Sequence, residues 1–156
     1  MSFTVRGIPQ SLADEVRRTR RAPDYGHPAH HEIATGTGPC RCCLRPFVPG
    51  VDARLLFTYR PRGDGSSLMA PGPVFIHAEH CAAFDGAGFP DGLRALPLAI
   101  EARATDSRVV ALTRADARAP VESGIATLLE SAGTDWLHLR HAEAGCYIAR
   151  VDRVAG

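Results

Sequence analysis

Three cysteines, Cys40, Cys42 and Cys43, fall within four positions of the segment GPCRCCLRPF (38–47). A second dense patch, FIHAEHC (75–81), carries His77, His80 and Cys81. Cys40 and Cys43 have the C-x-x-C spacing with which two thiolates in one turn share a tetrahedral ion, and zinc is the ion that this donor set suits. Either His77 with Cys81 or His80 with Cys81 completes four ligands. His77 closes an apolar run and Cys81 falls in the next turn, an arrangement that aims two side chains inward. The second pair is not a C-x-x-C, so the pattern is half of a double motif. Without an ion, the same cysteines serve as small buried side chains.

Two further groupings carry chemistry. In WLHLRHAEAGCYIARV (136–151), a hairpin with four loop residues sets His141 opposite Cys146, the start of a thiolate–imidazolium pair. An even-length loop also places Leu137, Leu139 and His141 on one face with Cys146, Ile148 and Arg150. No hydrolase signature surrounds the pair. The arginines form the last grouping. Arg41 lies between cysteines, Arg45 follows them, Arg60 and Arg62 end a strand-like run, and Arg140 and Arg150 belong to the closing hairpin. Guanidiniums converging on a pocket bind carboxylate or phosphate through forked hydrogen bonds. Arg41 is the anchor of choice, because its neighbours read as buried.

The elements that must position these residues follow from periodicity. FTVRGI (3–8) reads as a strand, and Ser11 with Asp14 as a capping box opening a helix through RRTRR (17–21). That basic run reads as cations offsetting the end of the helix dipole. Residues 22–39 carry turn formers and read as a loop with His30 and His31 solvated. ARLLFTY (53–59), PVFIH (73–77), 96–104, 108–114, 136–141 and 146–151 read as strands, with a turn at Asp106-Ser107. Val121, Ile125, Leu128, Leu129 and Ala132 recur at helical spacing over 120–132, with Pro120 in the first turn and Gly133 as the stop. The reading is α+β: one domain over 1–156, with a strand and helix in 1–21, a loop in 22–39, and a sheet-rich body in 40–156. That body is a largely antiparallel sheet; about seven short strands and two main helices are expected in all.

Composition narrows the function. The chain has 156 residues, a net charge of +1, 45% hydrophobic and 22% charged residues, and five cysteines, an odd number. All eighteen basic residues are arginine, a usage that fits a GC-rich bacterial genome. The near-zero charge and the lack of a nucleic-acid motif argue against a nucleic-acid partner. No apolar run approaches the roughly 20 residues of a spanning helix, which argues against a membrane. No signal peptide is visible in MSFTVRGIPQ, so a cytoplasmic location with reduced thiols is expected.

PCRCCL (39–44), GPVFIHAEHC (72–81) and WLHLRHAEAGCYIARVDR (136–153) together resemble one bacterial family, domain of unknown function 1203. Pro39-Cys40-Arg41 and Gly145-Cys146-Tyr147 fit its pattern. The position of Cys43 can be serine there and that of His77 need not be histidine, so the resemblance does not imply an obligatory metal. It implies a stand-alone domain with a similar α+β fold and no assigned reaction. The residues then support a binding module whose Cys/His/Arg-lined pocket takes a small anionic molecule. The pocket is formed by PCRCCL, the HAEHC turn and the closing hairpin. The alternative is a zinc-containing or cysteine-dependent enzyme using the same residues.

Overall fold

The computed structural model describes residues 2–61 and 69–154; Arg62 lies outside the described residues. The strands are β1 (Phe3–Arg6), β2 (His30–Ile33), β3 (Ala53–Tyr59), β4 (Gly72–His77), β5 (Leu98–Arg103), β6 (Val109–Ala115), β7 (Trp136–His141) and β8 (Tyr147–Arg153). The helices are α1 (Gln10–Thr19) and α2 (Glu122–Glu130). One sheet has the order β1-β8-β7-β5-β6 and the other the order β2-β3-β4. All pairings are antiparallel. The α+β class with a mostly antiparallel sheet is therefore what the chain adopts.

Two apolar clusters follow from this division. Ile125, Leu128 and Leu129 of α2 pack on Ile100, Leu137 and Leu139 of the larger sheet. Ala13 and Val16 of α1 pack with Leu55, Phe57 and Ile76 of the smaller sheet, and the three cysteines of PCRCCL join this second cluster.

Several expectations are corrected. Part of the 22–39 loop is β2, paired with β3 from His30↔Leu56 to Ile33↔Ala53. Its side chains are mostly exposed, so it lacks the apolar alternation by which strands are recognised, and the backbone ladder holds it. No capping box forms at α1. The helix starts at Gln10 with Pro9 as N-cap, and Asp14 turns along the helix to Gln10 and Arg17. α2 is shorter than 120–132: Pro120 precedes it, and Gly133, at φ 82°, follows. In the closing hairpin, Arg140 faces Tyr147 as the four-residue loop requires, but a bulge at Leu139/Arg140 shifts the register beyond it. Leu137 and Leu139 therefore face Val151 and Ala149, and Arg150 falls opposite His138 instead of sharing the leucine face.

Candidate metal centre

The PCRC segment makes a tight turn. The Leu44 N–H donates to the Cys40 carbonyl at 2.9 Å, the Cys40 N–H donates to the Arg45 carbonyl at 3.0 Å, and Leu44 takes φ 61°. Three neighbours fix this turn in space: Arg41 N–H donates to Phe75 O of β4, Ile8 N–H to Arg41 O, and Phe84 N–H to Cys42 O. Such close approach needs Gly7, where a Cβ would stand 2.1 Å from Arg41 O, and Gly92, where it would stand 2.4 Å from Leu44 O.

β4 delivers the other half. His77 ends the strand and Cys81 follows four residues on, so both reach back to the turn. The ligating atoms of Cys40, Cys43, His77 and Cys81 all lie within 4.8 Å of one another, in a group that could hold a metal ion. The sulfurs of Cys40 and Cys81 are 3.8 Å apart, and Cys43 Sγ is 3.5 Å from His77 Nδ1. Tetrahedral zinc, with sulfur at about 2.3 Å and nitrogen at about 2.0–2.1 Å, spaces its ligands at about 3.8 Å for S to S and about 3.5 Å for S to N. The two observed separations match these edges. Of the histidine alternatives, the structure selects His77: His80 is 71% exposed and lies 3.5 Å from Asp14.

The surroundings suit an anionic thiolate cluster. His77 Nε2 lies 3.4 Å from Asp52 Oδ2, whose oxygen also accepts the Val48 N–H at 2.7 Å. This carboxylate leaves Nδ1 turned to the sulfurs. The Arg17 guanidinium donates to Cys81 Sγ at 3.0 Å and to the His77 carbonyl at 3.0 Å. The Cys43 sulfur raises the pKa of Arg45. Burial opposes the charge on Arg17, yet the Cys81 and Cys42 sulfurs raise its pKa. The Cys40 thiol, hydrogen-bonded to His77, holds the imidazole up at about 9. Cys43 is held well below the ordinary thiol range by hydrogen bonds from Cys40 and Cys81. Hydrogen bonding to Cys43 pushes the Cys40 thiol well above the ordinary range and Cys81 is raised as well, so the cluster places its negative charge on Cys43. Arg17 and Asp52 escaped sequence reading. Arg17 sits in a run that reads as a helix end, and Asp52 is 25 residues from His77, which it contacts.

The remaining candidates go elsewhere. Arg41 is buried, its Nε donating to Tyr147 O at 2.6 Å and its Nη1 to Pro39 O at 2.7 Å. The His141 N–H donates to the Cys146 carbonyl at 3.0 Å, so the two residues lie opposite each other, while His141 Nδ1 accepts the Glu143 and Ala144 N–H groups of its own turn. Arg140 pairs with Glu101 at 2.7 Å and Arg150 with Asp152 at 2.8 Å. The arginines do not converge on one pocket. Arg150 lines a cavity of 530 Å³ and Arg140, with Cys146, another of 390 Å³; Arg41 is among the lining residues of neither.

Residues 37–153 match the family described as "Protein of unknown function (DUF1203)", and the chain belongs to it. No curated protein and no solved structure matches the chain. Among the described residues, no helix is long and apolar enough to cross a membrane.

Proposed function

We propose that this protein is a zinc-binding domain in which Cys40, Cys43, His77 and Cys81 hold one structural zinc ion. The observation that carries the reading is the agreement of the 3.8 Å Cys40–Cys81 and 3.5 Å Cys43–His77 separations with two edges of a zinc tetrahedron. Four protein ligands close the coordination sphere, and three of them are buried, which favours a structural ion over a catalytic one. Three thiolates around Zn²⁺ carry one net negative charge, which Arg17 and Arg45 offset. The ion would tie the PCRC turn to the end of β4 and, through Arg17, to α1. The cysteines sit in the apolar cluster with Phe47, Leu55 and Ile76, and a metal cross-link would add its own stability to that packing.

The test is elemental analysis and X-ray absorption of protein purified without chelator. One zinc per chain is expected, with three sulfur neighbours near 2.3 Å and one nitrogen near 2.0–2.1 Å. Well under one zinc per chain after supplementation, or a shell without sulfur, would overturn the reading.

A further inference from the structure

β6 ends the strand order of the larger sheet, so one side of its backbone has no neighbouring strand. The Ala142 N–H donates to Pro97 O, which fixes the alternation along β5: Pro97, Ala99 and Glu101 turn their backbone groups to β7. Leu98, Ile100 and Ala102 therefore turn theirs to β6, where they meet Ala115, Thr113 and Ala111. The N–H and C=O groups of Val110, Leu112 and Arg114 are left pointing outward. Among the described residues, no backbone group of a loop bonds them. The other edges are guarded. β1 and β2 are four residues each, β2 carries His30, His31 and Glu32, and the Arg41 N–H of the cysteine turn bonds Phe75 O of β4.

β6 has none of these guards over most of its length. It runs for seven residues without proline, and Val109, Val110 and Leu112 stand exposed, Leu112 at 65%. Ala111 and Ala115 take the face that packs toward α2, so the exposed side chains are not held to the core of their own chain. One extra residue between Ala111 and Val109, opposite Ala102 and Arg103, bends the strand at its hairpin end only. The charges around the strand have a direction. Arg108 precedes it and Asp116 follows it, both exposed and each four residues from Leu112. Arg114 lies 3.7 Å from Asp116, on the same outward side as Leu112.

We propose that β6 is the interface of a homodimer, pairing antiparallel with β6 of a second copy about a two-fold axis at Leu112. Leu112 then exchanges N–H to C=O bonds with Leu112 of the second copy, and Val110 does so with its Arg114, so every outward group gains a partner. The two Leu112 side chains meet at the axis, and Val110 lies beneath the aliphatic stem of Arg114 from the other copy. Arg108 of each copy comes beside Asp116 of the other. Neighbouring registers are poorer. An axis at Thr113 sets Val110 against Asp116 and Leu112 against Arg114, and an axis at Ala111 sets Arg108 against Arg114, two like charges. Opposite charges at the two ends of one strand favour a second copy over an unrelated extended segment. The two five-stranded sheets become continuous, and the metal centre, on the other sheet, takes no part.

Sedimentation equilibrium and residue-level amide exchange on the full chain test it. Twice the chain mass is expected at micromolar concentration. Raising the concentration should slow exchange of the Leu112 amide at least tenfold and leave the Thr113 amide, already bonded to β5, unchanged. Leu112→Lys sets two ammonium groups at the axis and should weaken dimerisation at least tenfold. Because Leu112 is exposed in a single copy, this variant should melt at the temperature of the parent chain when both are dilute enough to be monomeric. Arg108→Asp should weaken the dimer severalfold, and adding Asp116→Arg should restore it, which no role within one copy explains. A monomer at millimolar concentration, a dimer untouched by Leu112→Lys, or a dimer whose Leu112 amide exchanges independently of concentration would overturn the proposal. Failure of the charge swap to restore the dimer would overturn the register centred on Leu112.

Discussion

The sulfurs of Cys40 and Cys81, 41 residues apart in sequence, lie 3.8 Å from each other. Cys42 is as deeply buried as Cys40, but its sulfur points at the Cys81 carbonyl, 3.9 Å away. Serine scanning therefore separates the thiols. Cys40→Ser, Cys43→Ser and Cys81→Ser should each lose zinc and melt at lower temperature, whereas Cys42→Ser should retain about one zinc per chain. Zinc content after gel filtration decides this, and metal loss in Cys42→Ser would show the ligand set to be wrong.

Arg17 and Asp52 touch ligands without being ligands themselves. Removing partners of this kind costs about 10–100-fold in metal affinity. Arg17→Ala and Asp52→Asn are each expected in that range when zinc affinity is measured by chelator competition. Affinities equal to the unaltered protein would show that neither group tunes the cluster.

His138 gives a pH dependence. It is fully buried, and neither ring nitrogen has a hydrogen-bond partner among the described residues. Burial first, then Arg103 and Arg140, press its pKa down to about 3. The unfolded chain binds the proton near the ordinary value of about 6.5 and the folded chain does not. Stability is therefore full above about 6.5 and is lost as pH falls toward 3, by up to roughly 5 kcal/mol. His138→Phe keeps a ring against Tyr147, whose centroid is 5.1 Å away, and leaves no orphaned nitrogen. Denaturant melts should show it at least as stable at pH 7 and with a shallower loss between pH 6.5 and 4. An acid slope unchanged from that of the parent chain would assign the effect to other groups.

Two glycines should respond in opposite directions. Gly7→Ala drives a Cβ to within 2.1 Å of the Arg41 carbonyl, where the Ile8 N–H also docks at 2.7 Å. Overpacking of this kind costs about 1–3 kcal/mol, and the displaced turn should also bind zinc less tightly. Gly124 lies within α2 with nothing within 4 Å of an added Cβ. Gly124→Ala should stabilise by about 0.5–1 kcal/mol through the unfolded chain and helix propensity. Urea titrations of the two variants check both signs.

Much of the fold can be read from the chain, because it is written in local periodicity. The run ARLLFTY coincides with β3 residue for residue, and the spacing of Ile125, Leu128 and Leu129 marks the buried face of α2. The C-x-x-C turn is equally local, since three residues suffice to bring Cys43 back toward Cys40. What could not be read there is non-local. β2 exists because β3 offers it a backbone ladder, and its own side chains carry no apolar signal. The choice of His77 over His80 depends on the β3–β4 register, in which His77 lies opposite Arg54 at the strand end and His80 falls beyond it. Arg17 reaches Cys81, 64 residues on in the sequence, across the packing of α1 on the smaller sheet. Likewise a single bulge at Leu139/Arg140, invisible in the alternation of the closing hairpin, decides that Arg150 faces His138. Periodicity tells which face of an element is apolar. Which polar side chains meet across the core depends on register and docking between elements far apart in sequence, and only the folded backbone settles those.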